Sequence, residues 1–123
     1  MFKNIQIIII TLTAVYGTSY NVPGDFESIQ SAIDASANGD SVIVGPGVYF
    51  ESINFIGKEI VVSSRFEIDN DSLLIASTII DGGSDQSDGS VCTFKNNEGN
   101  GSIIKGFTLQ NGSGNNEDPD GNG

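Results

Sequence analysis

The stretch that decides the fold is Phe26-Glu27-Ser28-Ile29-Gln30-Ser31-Ala32-Ile33-Asp34-Ala35, followed by Asn38-Gly39-Asp40-Ser41-Val42-Ile43-Val44-Gly45-Pro46-Gly47-Val48-Tyr49. Phe26, Ile29, Ala32 and Ile33 recur at three- and four-residue intervals, which predicts a short helix with one apolar face. Glu27, Gln30, Ser31 and Asp34 fall on the other face. Asp25 is the expected N-cap, because its carboxylate can accept from the free amides of a first turn. Asn38-Gly39 is the expected stop, glycine taking the left-handed conformation common just past helix ends. Val42-Ile43-Val44 then reads as a strand covered on both sides, and Gly45-Pro46-Gly47 as the corner that ends it. A helix in front of a run of strands must bury its apolar face against them, so it is placed to plug the open end of a stack.

Outward from that stretch the chain is rich in short strands. Asn21-Val22-Pro23-Gly24 leads in as an extended segment and a turn. Downstream, Ser52–Phe55 alternates polar and apolar, Glu59–Ser64 is strand-like after the Gly57-Lys58 turn, and Phe66–Ser72 is an acidic, exposed excursion. Strand character returns at Thr78-Ile79-Ile80, at Val91–Phe94 and through Ile103–Asn111. The two-residue Asn-Gly or Asp-Gly loops of antiparallel hairpins do not join these strands. Gly57–Val62 and Gly101–Gly106 resemble each other at an offset of 44 residues, which would be two coils of roughly 22 in a stacked array.

Composition narrows the class. The 123 residues allow one domain. Sixteen acidic residues against five basic ones, with no His, give a net charge of −11, which argues against nucleic acid, whose phosphates need clustered cations. It equally disfavours anionic membrane surfaces. Lys3, the apolar run Ile5–Val15 and the small or neutral residues at Val15-Tyr16-Gly17 read as a secretory signal over 1–19, with an uncleaved anchor as the alternative. The run is short for a membrane span, which needs roughly 20 apolar residues. Cys92 is the only cysteine, so no internal disulfide is available. In Ser90–Phe94 it reads as a small hydrophobe in or beside the core, with a reactive thiol or an intermolecular bridge as the alternatives.

Ser28–Ala35, Gly39–Val42 and Gly45–Tyr49, with Thr78–Gly82 and Ile104–Gly112 as later coils, resemble the N-terminal part of secreted right-handed parallel β-helix proteins of the pectin-lyase-like superfamily, large bacterial members included. The resemblance implies an all-β solenoid of about three coils over 20–112, with an N-terminal capping α-helix. The acidic Gly/Asn-rich stretch 113–123 follows as a tail or linker. Its inward residues would be Val42, Val44, Ile53, Phe55, Ile60, Val62, Ile79, Val91, Phe94, Ile103, Phe107 and Leu109. It also implies a secreted or cell-surface protein that acts on or binds polysaccharide. On this reading the present chain is a non-catalytic N-terminal portion, a fragment of a longer protein. Two alternatives stay open: a polysaccharide lyase or glycoside hydrolase whose catalytic coils lie past Gly123, and a structural or adhesive ladder.

No catalytic residue set is assigned. Lyase chemistry would need a basic residue to take a proton next to a neutralised carboxylate. Lys58, Arg65, Lys95 and Lys105 read instead as solvated surface charges. Hydrolysis would need paired carboxylates, and Asp81, Asp85 and Asp88 lie close together, but in a Gly/Ser-rich loop. No cofactor is expected. Calcium is the one cation the tail would suit, through Asp118, Asp120 and Asn122, although the later bidentate acid of such a loop is missing. Asn70-Asp71-Ser72, Asn100-Gly101-Ser102 and Asn111-Gly112-Ser113 match the glycosylation sequon.

Overall fold

The protein is described by a computed structural model covering residues 16–84 and 89–113. In chain order its elements are β1 (Ser19–Val22), α1 (Ile29–Ala35), β2 (Ser41–Val44), β3 (Gly47–Phe50), β4 (Ile53–Asn54) and β5 (Val61–Ser64). They continue with α2 (Phe66–Asp69), α3 (Leu73–Ser77), β6 (Thr78–Asp81), a 3-10 turn (Gly82–Ser84), β7 (Cys92–Thr93), β8 (Ile103–Lys105) and β9 (Thr108–Gln110). The expected signal lies outside the described residues up to residue 15. Its last residue, Ser19, is already in β1, opposite Ser41.

Strands dominate, helices are few and short, and every ladder is parallel, in keeping with the absence of hairpin loops. Sheet A has the order β1-β2-β5-β8, sheet B β3-β6-β9 and sheet C β4-β7. After α1 the chain therefore visits A, B and C, then A, B and C again, then A and B. The corner Gly45-Pro46-Gly47 carries it from β2 to β3, and Glu51-Ser52 from β3 to β4.

The core forms where the sheets and α1 face one another. Val42, Val62, Val44, Ile53, Phe55 and Ile60 are all at most 1% exposed, as expected, and Val91 is buried beside them. Ile29, Ala32 and Ile33 of α1 are fully buried against β1, β2 and β4. At roughly 1.5–3 kcal/mol for each large apolar side chain removed from water, this shared interior is the main force that fixes α1 at the head of the sheets.

Several expectations are corrected. Ile80, not Ile79, is buried in β6: the ladder sets Ile80 beside Tyr49, whose column faces inward, and Ile79 beside the exposed Val48. Phe94, Ile103 and Leu109 are exposed at 45%, 40% and 46%. Ile104 takes the inward place opposite Val62, so Ile103 falls on the outer face. Leu109 does continue the column of Ile80, but β9 is the last strand of sheet B among the described residues, and no strand covers it. Phe94 stacks on Phe55 with ring centroids 4.4 Å apart, half in solvent.

The helix also differs in its ends. It begins at Ile29, and its N-cap is Ser28, whose hydroxyl accepts from the amide of Ser31. Asp25 instead accepts from the amide of Asn21 and closes the turn before the helix. Phe26 sits in that turn, edge-on to Tyr20. The helix stops at Ala35, where Ser36 returns to extended backbone and donates through both its amide and its hydroxyl to Ala32. Gly39 is left-handed (φ 91°) but belongs to the turn that follows.

The repeat is corrected too. Val61 stands opposite Ile103 in adjacent strands, so the return to this sheet takes 42 residues rather than the expected 44, and it is one passage through the three sheets and not two. That passage is long because α2, α3 and the segment before β7 are inserted in it, whereas Ser41 and Val61 are separated by one short passage. The acidic excursion opens with the short helix α2, and α3 follows it. Thr78 donates its hydroxyl to Leu74 and Thr108 donates to Ile75, tying α3 to sheet B.

Candidate functional site

Four basic and three acidic residues were candidates for chemistry, and the structure gives most of them structural partners. The first four amides of any helix lack intrahelical acceptors, and the last carbonyls lack donors. Glu51, just past β3, supplies the missing acceptor for α1: its two carboxylate oxygens take the amides of Ile29 and Gln30, each at 2.9 Å. Lys58 supplies the missing donor, its ammonium donating to the carbonyls of Ile33 and Asp34 at 2.7 Å. Both charges have the sign that the helix dipole favours at the end they occupy. Lys58 is thus a helix clamp, not a solvated charge. Arg65 pairs with Asp69 at 3.4 Å, and Lys105 of β8 reaches Glu67 of α2 at 3.1 Å, both pairs half-exposed. Lys95 is exposed after β7.

Asp81 ends β6 and is only 7% exposed. One carboxylate oxygen accepts from the amide of Gly83 at 2.9 Å, and the other from the side-chain amides of Gln110 and Asn111, both at 2.8 Å. Asn111 reaches it from a left-handed turn, φ 57°. The Gln110 amide above all, then Gly83 and Asn111, holds the Asp81 carboxyl below the usual range, against the desolvation that would raise it. Asp81 is therefore ionised at neutral pH, with its oxygens turned to amides rather than to a base. It has no proton to donate, and its chemistry is that of an anchor. Asp85 and Asp88 lie outside the described residues.

The same arrangement recurs twice. Asp40 accepts from the amides of Ala37 and Thr18, and these bonds lower its pKa. Glu98 accepts from the amides of Gly57 and Asn96; desolvation pushes its carboxyl up, but the amide donors together bring it below the ordinary value. Asp40 ties the turn between α1 and β2 to the start of β1, whereas Asp81 and Glu98 tie down turns where the chain passes from one sheet to the next. Cys92 is half-buried in β7 opposite Ile53. Desolvation, and to a lesser extent the charge of Glu98, pushes its thiol up to about 11 despite a bond to Thr93. At neutral pH it is a thiol and not a thiolate, hence a weak nucleophile. Among the described residues no group of three or more His, Cys, Asp or Glu stands close enough to hold a metal. Asp118, Asp120 and Asn122 lie outside the described residues.

What the structure adds is a surface on sheet B. Phe50, Asp81 and Gln110 are neighbours in register across β3, β6 and β9. Phe50 is 65% exposed, Val48 on the same strand 48%, and Gln110 and Asn111 are exposed beyond Asp81. An open aromatic face thus shares one column with an ordered amide group. Of these residues Asp81 was singled out from the sequence as a carboxylate and Asn111 as part of a sequon, but Phe50 and Gln110 were not. The signal was present in Val48-Tyr49-Phe50, where alternation turns the outer two residues out once Tyr49 points in. Comparison with family models, with curated proteins and with solved structures gave no match.

Proposed function

We propose that sheets A, B and C are the successive faces of a right-handed parallel β-helix of the pectin-lyase-like kind, with α1 as its N-terminal cap. On this reading the chain is the non-catalytic N-terminal portion of a secreted or cell-surface protein that binds or acts on polysaccharide. The observation that carries it is the recurrence of strands in the order A, B, C with each strand in parallel register on its predecessor. The anchored carboxylates support the non-catalytic part, since Asp40, Asp81 and Glu98 are all spent on amide donors.

The sugar part is supported by the column Phe50–Asp81–Gln110. An aromatic face offers a flat apolar contact, and fixed amides offer donors and acceptors for hydroxyl groups. A net charge of −11 favours neutral glycans over polyuronates, which it repels. The test is electrophoresis of the protein through gels containing dissolved neutral or uronate polysaccharides. Retardation by a neutral polysaccharide is expected, weakened about tenfold by Phe50→Ala, the equivalent of ~1.4 kcal/mol. Equal mobility in every gel overturns the polysaccharide reading.

A further inference from the structure

In a strand, alternate residues present their amide and carbonyl to opposite edges. In sheet C the amides of Ile53 and Phe55 turn toward β7, donating to Val91 and Thr93. Asn54 between them must face the other edge, and among the described residues no strand pairs with β4 there. An open edge of this kind is a template for pairing with another chain. Asn54 is nevertheless fully engaged. Its amide donates to the side-chain Oε1 of Gln30 at 2.8 Å, and its carbonyl accepts from Nε2 of the same side chain at 3.1 Å. The second proton of Nε2 goes to Asp34 at 2.9 Å, which fixes the orientation of the amide. The next amide on this edge, that of Ile56, is taken by the side chain of Asn54.

From this geometry we infer that Gln30 is a surrogate strand: one side-chain amide makes the two bonds that a neighbouring strand would make to Asn54, and so closes this edge of sheet C to a strand from a second copy of the chain. The bonds hold because α1 itself is fixed. Glu51 binds the amide of Gln30 and Lys58 binds the turn after it, so the side chain is delivered to Asn54 from a clamped helix. Only Gln has the length and the paired donor and acceptor for this. Glu has no donor for the carbonyl, and Met, of similar size and helix propensity, offers neither bond.

Amide hydrogen exchange of the intact chain, with sedimentation over a range of concentrations, tests this. In the wild type the Asn54 amide is expected to be protected alongside those of Ile53 and Phe55. In Gln30→Met at low concentration it loses protection by about tenfold or more, the scale of one net hydrogen bond, while Ile53 and Phe55 keep theirs. The average mass of the variant then rises with concentration above that of the wild type, and Asn54 regains protection as it does. Two results overturn the inference. One is an Asn54 amide that exchanges freely in the wild type, which decides the matter even if the variant fails to fold. The other is a folded Gln30→Met protein with the wild-type mass at every concentration.

Discussion

Asp81, Asp40 and Glu98 are three single residues that do the same thing: each holds two or three amides with one ionised carboxylate. Their folded pKa values lie below the ordinary ones. A carboxylate with a depressed folded pKa contributes stability that is complete above its unfolded pKa, about 4, and is lost as pH falls toward the folded value. Acid also relieves the repulsion in so negative a chain, which works the other way. Comparing wild type with Asp81→Asn cancels that second effect. The variant is expected to melt lower than wild type at pH 7, with the gap narrowing below about pH 4. Thermal melts at the two pH values check this, and a gap of constant size contradicts the role given to Asp81. Little of this was legible in the sequence. Asp81 was visible as a turn residue, but its partners Gln110 and Asn111 come from a strand about thirty positions further on, and only the ladder brings them together.

At the scale of elements, α1 and β2 were the most legible parts, because helical periodicity and an unbroken apolar triplet are local signals. Their ends were not. Ser28 displaces Asp25 as the cap because Glu51 and Gln30 fix where the helix can start, and Glu51 lies more than twenty residues away. The excursion was read only as acidic and exposed, because α2 within it and α3 just after it are four and five residues long, too short to show a helical period, and α3 is held by Thr78 and Thr108. In β6 two adjacent isoleucines gave no local signal to choose between them, the sequence reading took Ile79, and the pairing of Ile80 with Tyr49 reverses that choice. Ile80→Ala is accordingly expected to cost about 2–5 kcal/mol, as for a buried aliphatic residue. Ile79→Ala should cost no more than about 1 kcal/mol. Urea unfolding of the two variants checks the order, and equal losses would contradict the register of β6.

For the whole molecule, the order A, B, C in parallel sheets joins the local readings into one architecture. Its coarse character, short strands in parallel sheets with few helices, was legible because the sequence has glycine corners and short strands without hairpin loops. The size of each circuit was not, since an inserted excursion changes the spacing without changing the ladder. The central claim is therefore the neighbourhood of β5 and β8. Opposed residues on parallel strands lie about 4.8 Å apart, within the range of about 4.4–6.8 Å that a disulfide spans. The most direct measurement is disulfide trapping in a Cys92→Ser background, comparing Val61→Cys paired with Ile103→Cys against Val61→Cys paired with Gly83→Cys, the neighbour that a 22-residue coil would supply. The account predicts an intramolecular disulfide in the folded protein for the first pair and none for the second. A disulfide with Gly83→Cys and none with Ile103→Cys would contradict it.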